Sequence, residues 1–200
     1  MKRNTRLEIL QTAKALFNER GFNDVSTRDI SNALGISKGN LSYYFKRKED
    51  IVEAILQEFP GNPPDTPKTM ADLNDFLLDM QDTVQENAFY FWHHAQLSQL
   101  SPKIKELQRE MYRCNVQKLR NAFKRFQEEG YFLLEQVEGQ YNRTIDALLL
   151  SSIYWLPFCT LKQEKPVEND FQKQAWSILF PLLTEKGRKQ LDEIVGLRKQ

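Results

Sequence analysis

Cysteine is nearly missing from this 200-residue chain, with only Cys114 and Cys159 present. Two thiols supply neither a disulfide framework nor the four ligands of a structural zinc site, and they fit a reducing compartment. Glycine and proline are also sparse, at eight each, which excludes collagen-like and linker-rich architectures. Long uncharged runs are missing too. The longest are Asn87–Pro102, 16 residues, and Ala147–Leu161, 15 residues. Both carry polar groups and stop short of the roughly 20 apolar residues of a spanning helix, so no membrane segment is expected. The basic start, Met1–Arg6, runs into Glu8 and Lys14 where a signal peptide needs its apolar core. The expectation is a cytoplasmic protein.

What is present is ordinary for a globular chain. Hydrophobic residues make up 40% and charged residues 28%, and the length suits one or two domains. The net charge of +1 conceals an asymmetry, because residues 1–48 hold ten Lys/Arg against four Asp/Glu, a balance of +6. The remaining residues balance at −5. A basic quarter on an acidic body suggests that one end meets a polyanion.

Nearly every segment reads at a helical period, so the expected class is all-α. Ile9, Leu10, Ala13, Leu16 and Phe17 share one face of a first helix that Gly21 stops. Ser26-Thr27-Arg28-Asp29 is a capping box that opens a short helix with Ile30, Ala33 and Leu34 inward, ended by Gly35. Ser37 caps a third helix, Lys38–Phe45, and a fourth runs from about Arg47 to Phe59. The run Pro60–Pro67, with four prolines, marks a boundary. The expected domains are therefore 1–59 and 60–200. The body is read as helices over Met70–Glu86, Ala88–Gln99, Ser101 to about Gly130, Gln140–Thr160, Glu168–Leu183 and Thr184–Val195.

Residues 27–45 have the layout of a helix-turn-helix whose second helix enters the DNA major groove. Its chemistry suits that task. Lys38, Gly39, Asn40 and Ser42 are small or polar, and Asn and Lys can pair with adenine and guanine edges. Tyr43 and Tyr44 offer hydroxyls, and Lys46, Arg47 and Lys48 suit phosphates. Leu41 and Phe45 read as core.

These residues also carry a resemblance. Arg20-Gly21-Phe22, Val25–Ile30, Leu34–Leu41, Tyr43-Tyr44-Phe45 and Lys48-Glu49 resemble, in order and spacing, the N-terminal signature of TetR-type bacterial transcriptional regulators. The likeness spans about residues 5–58. It implies a homodimer of all-helical subunits, each with a three-helix DNA-binding head and a larger body that binds a small ligand and lowers DNA affinity. The positions it implies for DNA contact are Thr27, Arg28, Lys38, Gly39, Asn40, Tyr43, Tyr44 and Lys48. Ser42 stands where the family usually carries a tyrosine, and Ser31 where it usually carries alanine.

The body offers no comparable motif. Phe89, Trp92, His93, Met111, Tyr112 and Trp155 are candidates to line an apolar ligand site. Leu149, Ile153, Trp176, Leu179 and Phe180 are candidates for a dimer face, since obligate interfaces resemble a divided core. His93-His94 lacks a third ligand at helical spacing, so no metal and no cofactor is expected. No nucleophile elbow or phosphate loop occurs, and no enzymatic activity is expected. The expected function is a repressor that an effector releases from a pseudo-palindromic duplex operator. The alternatives are a body that binds a protein partner, or an activator.

Overall fold

The computed structural model describes residues 4–58, 65–165, 167 and 169–196; Pro60–Pro64 of the proline run lies outside the described residues. The helices are α1 (Thr5–Arg20), α2 (Thr27–Leu34), α3 (Lys38–Tyr44), α4 (Lys48–Gln57), α5 (Met70–Glu86), α6 (Ala88–Trp92), α7 (His94–Leu100), α8 (Pro102–Glu128), α9 (Gln140–Leu161), α10 (Asp170–Leu179) and α11 (Glu185–Val195). A 3-10 turn, Phe180–Leu182, follows α10. Among the described residues no strand forms beyond an isolated bridge between Phe132 and Leu183. The all-α expectation holds.

The chain divides into two compact units, Met1–Pro63 with Glu86–Arg109, and Pro64–Gln85 with Glu110–Gln200. The first is built on Ile9, Leu10, Ala13 and Phe17 of α1, joined by Phe22, Val25, Ile30, Leu41, Phe45, Ile51, Val52 and Ile55. It reaches beyond the expected boundary at residue 59, and the reason lies in side chains of α1 and α4. Phe17 packs on Phe89, with ring centroids 5.4 Å apart. Asn18 accepts the Phe89 N–H at 3.0 Å and donates to the Glu86 carbonyl at 2.8 Å, closing the α5–α6 junction. The Ser101 hydroxyl donates to Glu53 at 2.7 Å. Residues 86–109 are thus neighbours of the helix-turn-helix in packing, although far from it in sequence.

One helix was expected over Ala88–Gln99, but the segment breaks at His93, whose φ of −113° and ψ of 15° leave the helical region. The His93 ring lies 6.3 Å from Phe22, and its Nδ1 lies 3.2 Å from Gln96 Oε1. Within α2 the inward residues also differ from the expected set. Ala33 is exposed, and Ser31 takes the buried position with its hydroxyl donated to the Arg28 carbonyl at 3.0 Å. The hydrogen bond to the helix's own backbone satisfies the hydroxyl and offsets the cost of burying its oxygen.

The second unit packs Leu73, Phe76 and Leu77 of α5 with Leu119, Phe123 and Phe126 of α8, Ile145, Leu148 and Leu149 of α9, and Phe171, Trp176 and Leu179 of α10. Polar side chains also sit inside it, among them Asn74, Gln81, Ser152 and Gln172. The buried Asn74 carbonyl oxygen accepts from Gln172 Nε2 and from Trp176 Nε1, tying α5 to α10. Helix α9 runs 22 residues and is long and apolar enough to cross a membrane by length and composition. The expectation from uncharged runs missed this, because Arg143 and Asp146 lie within the same helix. Ile145, Leu148, Leu149, Ser152, Leu156 and Cys159 of α9 face the protein interior.

Candidate nucleic-acid interface

The candidate face is built outward from three local devices. At the start of α2 the Ser26 hydroxyl accepts the Asp29 N–H at 3.2 Å, and the Asp29 carboxylate accepts the Ser26 N–H at 2.8 Å. The expected capping box is present, and it holds Thr27 and Arg28 in the first turn. The Ser26 hydroxyl and amide hold the Asp29 carboxyl below the usual aspartate range. Between α2 and α3 the chain turns at Gly35, whose φ of +64° is a left-handed conformation that a side chain disfavours. Ser37 then caps α3 by accepting the Asn40 N–H at 3.1 Å.

Helix α3 turns Leu41 wholly inward and leaves Lys38, Gly39, Asn40, Ser42, Tyr43 and Tyr44 exposed. Tyr43 is 83% exposed and stands edge-on to Tyr44, with centroids 5.1 Å apart. A Cβ at Gly39 would meet only Ser37 Oγ at 3.9 Å, so nothing inside the fold requires glycine there. A helix whose one apolar knob is buried, and whose remaining surface is polar, aromatic and cationic, offers donors and acceptors of the kinds that pair with base edges.

The cations that follow α3 are not equivalent. Lys46 is exposed. Arg47 donates from Nε and Nη2 to Asp50 at 3.2 and 2.8 Å, and the Asp50 carboxylate also accepts the Arg47 N–H at 2.9 Å. Burial works to raise the Asp50 carboxyl, but Arg47's hydrogen bonds and charge hold it below the usual range. Lys48 was expected to face phosphates, yet its Nζ donates to the Phe22 carbonyl at 2.7 Å and to the Val25 carbonyl at 2.9 Å. It also lies 4.0 Å from the centre of the Phe22 ring. Burial lowers the Lys48 pKa. Sequence spacing alone does not reveal this, because the two acceptors are 26 and 23 residues away.

The other candidate residues fall as follows. Phe89, Trp92 and His93 belong to the first unit, and Met111, Tyr112 and Trp155 to the second. Phe89 is buried against Phe17, whereas Trp92 is exposed. Tyr112 is exposed and donates its hydroxyl to Asp146 at 2.8 Å. Trp155 stands edge-on to Phe171 at 5.5 Å. His94 packs edge-on to Tyr90 at 5.2 Å, and burial lowers its pKa. Among the described residues no three metal-ligating side chains gather. Of the expected dimer residues, Leu149, Trp176 and Leu179 lie in the core of their own unit and have no surface to offer a partner. Ile153 is half-buried and Phe180 is exposed. The apolar residues that do reach the surface of α9 are Leu150, Tyr154, Phe158 and Leu161. Counting hydrophobic residues on a helix finds both faces, and only packing tells which one is covered.

The likeness to known proteins agrees with this geometry. The family profile described as bacterial regulatory proteins of the tetR family matches residues 9–55. A second, described as a bacterial transcriptional repressor, matches residues 49–191. The probable HTH-type transcriptional regulator YttP of Bacillus subtilis is 31% identical over 102 residues, which are 49% of this chain and 49% of that protein. The match thus spans about half the length of that curated relative. In fold alone, a TetR-family transcriptional regulator from Marinobacter aquaeolei VT8 is similar over 98% of both chains, with a TM-score of 0.82 at 24% identity. The SmeT–triclosan complex is similar over 92% of this chain and 93% of that one, with a TM-score of 0.63 at 17% identity. With one profile on the helix-turn-helix and another running through the body, this chain belongs to the TetR family of bacterial transcriptional regulators.

Proposed function

We propose that this regulator works in the cytoplasm as a homodimeric repressor that reads a pseudo-palindromic duplex through α2 and α3 and leaves it when a small apolar or amphipathic effector binds. The observation that carries the reading is the exposed polar face of α3. Lys38, Gly39 and Asn40 open that helix and Ser42, Tyr43 and Tyr44 continue it, while Leu41 anchors it from beneath. In this reading Lys38 and Asn40 meet base edges, with Arg28 beside the same groove. Thr27, Ser42, Tyr43 and Tyr44 meet the backbone, and Gly39 lets the duplex approach closely.

The dimer is supported by α9. Leu150, Tyr154, Phe158 and Leu161 follow one another at intervals of four, four and three residues, so they form one exposed apolar stripe, with Phe180 exposed on the turn after α10. Charge on the surface would be cheaper than four large apolar groups in water, and a second copy would cover them. Two heads then meet half-sites one helical turn apart, about 34–36 Å. The effector is supported by the SmeT–triclosan complex, in which a protein of this fold is bound to triclosan. It would act by binding more tightly to the conformation whose heads do not fit the duplex.

Selection of binding sites from random duplexes, followed by footprinting, tests this reading. The expected result is an enriched site with approximate twofold symmetry, protected on both halves and weakened steeply by salt. Failure to enrich any duplex, or an asymmetric footprint from a monomer, counts against it.

A further inference from the structure

We propose that Lys48 is a positioning residue for DNA reading: its ammonium ties the start of α4 to the corner that launches α2, setting where α2 and α3 stand, and does not serve to neutralise a phosphate. The inference rests on the DNA-binding reading above.

The geometry is specific. Lys48 is the first residue of α4, and its Nζ reaches two carbonyls inside the segment that joins α1 to α2, those of Phe22 and Val25, at 2.7 and 2.9 Å. Val25 immediately precedes Ser26, the cap of α2. An ammonium has three N–H bonds, and two of them are committed to these carbonyls. The Phe22 ring lies 4.0 Å from the same nitrogen and packs on Phe17 at 5.5 Å, so the charge sits on the wall of the first unit's core.

A cation in the first turn of a helix opposes the helix dipole. At that position the neighbouring Glu49 and Asp50 are the residue types the dipole favours. The lysine is therefore explained by what it holds and not by the helix it begins. The lowered pKa of Lys48, caused by burial, agrees with an ammonium drawn off the solvent. Lys46, two residues earlier, is exposed and is the better placed of the two to meet a phosphate.

Loss of a residue that neutralises a phosphate weakens binding to every sequence alike and removes part of the salt dependence. Loss of one that positions the reading helices changes discrimination between sequences at constant salt dependence. The experiment uses the full chain and a duplex selected with the unaltered protein. Failure to enrich a duplex would sink the DNA-binding reading itself, before Lys48 is in question. With the duplex in hand, Lys48→Met and Phe22→Leu are compared on it and on a scrambled duplex, from about 50 to 200 mM salt.

Lys48→Met is expected to lose about tenfold on the selected duplex, comparable to one base contact, with little loss on the scrambled one. The slope of log affinity against log salt stays unchanged. Phe22→Leu removes no charge and reproduces the loss of discrimination, and the double variant is less than additive. A slope shallower by about 0.9 in Lys48→Met, the signature of one lost phosphate contact, overturns the proposal. Unchanged discrimination overturns it as well. If circular dichroism shows Lys48→Met to be unfolded, Lys48→Arg takes its place, because it keeps the charge and alters the geometry. Reduced discrimination at constant slope then supports the positioning role, and full retention of discrimination overturns it.

Discussion

Gly39 weakens the helix it opens, and nothing in the fold asks for it. A Cβ there would meet only Ser37 Oγ, at ordinary contact distance. In the proposed reading, the missing side chain makes room for the duplex. Gly39→Ala should therefore stabilise the protein, by up to about 0.5–1 kcal/mol, and weaken duplex binding at the same time. Thermal unfolding and duplex affinity moving in the same direction would show this account to be mistaken. Asn40 is a neighbour with a different task. Asn40→Ala should cost about 1–3 kcal/mol at one position of the selected site and relax the preference there. A panel of site variants checks this, and uniform weakening across the panel would assign Asn40 to the backbone. Inside the second unit, Asn74 receives two donors with one oxygen. Asn74→Ala leaves the Gln172 amide and the Trp176 indole without that acceptor and should cost about 2–4 kcal/mol, read from urea unfolding. A loss under about 0.5 kcal/mol would mean that both donors find other partners.

At the level of elements, the ends of the helices are better defined by their chemistry than their middles. Ser26, Ser37, Ser101 and Thr184 each accept an amide three residues on, at the N-termini of α2, α3, α8 and α11. Short helices depend on such caps, because α2 and α3 are too brief to persist alone. The α2 cap has a pH dependence whose sign follows from Asp29. The Ser26 hydroxyl and amide lower its pKa in the folded protein relative to the ordinary value of 3.8. Its contribution is therefore full above that ordinary value, and is lost as the pH falls through the lower folded value. Asp29→Asn should flatten the acid limb of the stability profile, measured by urea midpoints from neutral pH downward. An unchanged acid limb would show that other carboxylates dominate it.

At the level of the whole molecule, the exposed stripe of α9 and its buried face make opposite predictions. Leu150→Glu or Tyr154→Glu should yield folded monomers in sedimentation experiments, because both residues lie on the surface. Leu149→Glu, one position away, should unfold the body, since a carboxylate in that core costs about 3 kcal/mol or more. Persistent dimers in both surface variants would remove α9 from the interface. The basic first quarter of the chain belongs to the same argument. Its excess of positive charge accompanies the helix-turn-helix, and it predicts strong salt dependence for any duplex the protein binds.

Periodicity and caps were enough to determine the helical class, the order of the elements, the helix-turn-helix and the polar residues on the exposed side of α3. These depend on neighbours three and four positions apart, and that information is local. Ser26 with Asp29, Gly35 and Ser37 read the same way in the sequence as in the structure. Tertiary packing alone decided which apolar face of α9 is covered, why the segment after α5 breaks at His93, and that residues 86–109 join the head. It also turned Lys48 from the solvent onto the Phe22 and Val25 carbonyls. Each of these outcomes depends on a partner tens of residues away, and a lysine stem that reaches water and a lysine stem that reaches a distant carbonyl look the same in the sequence.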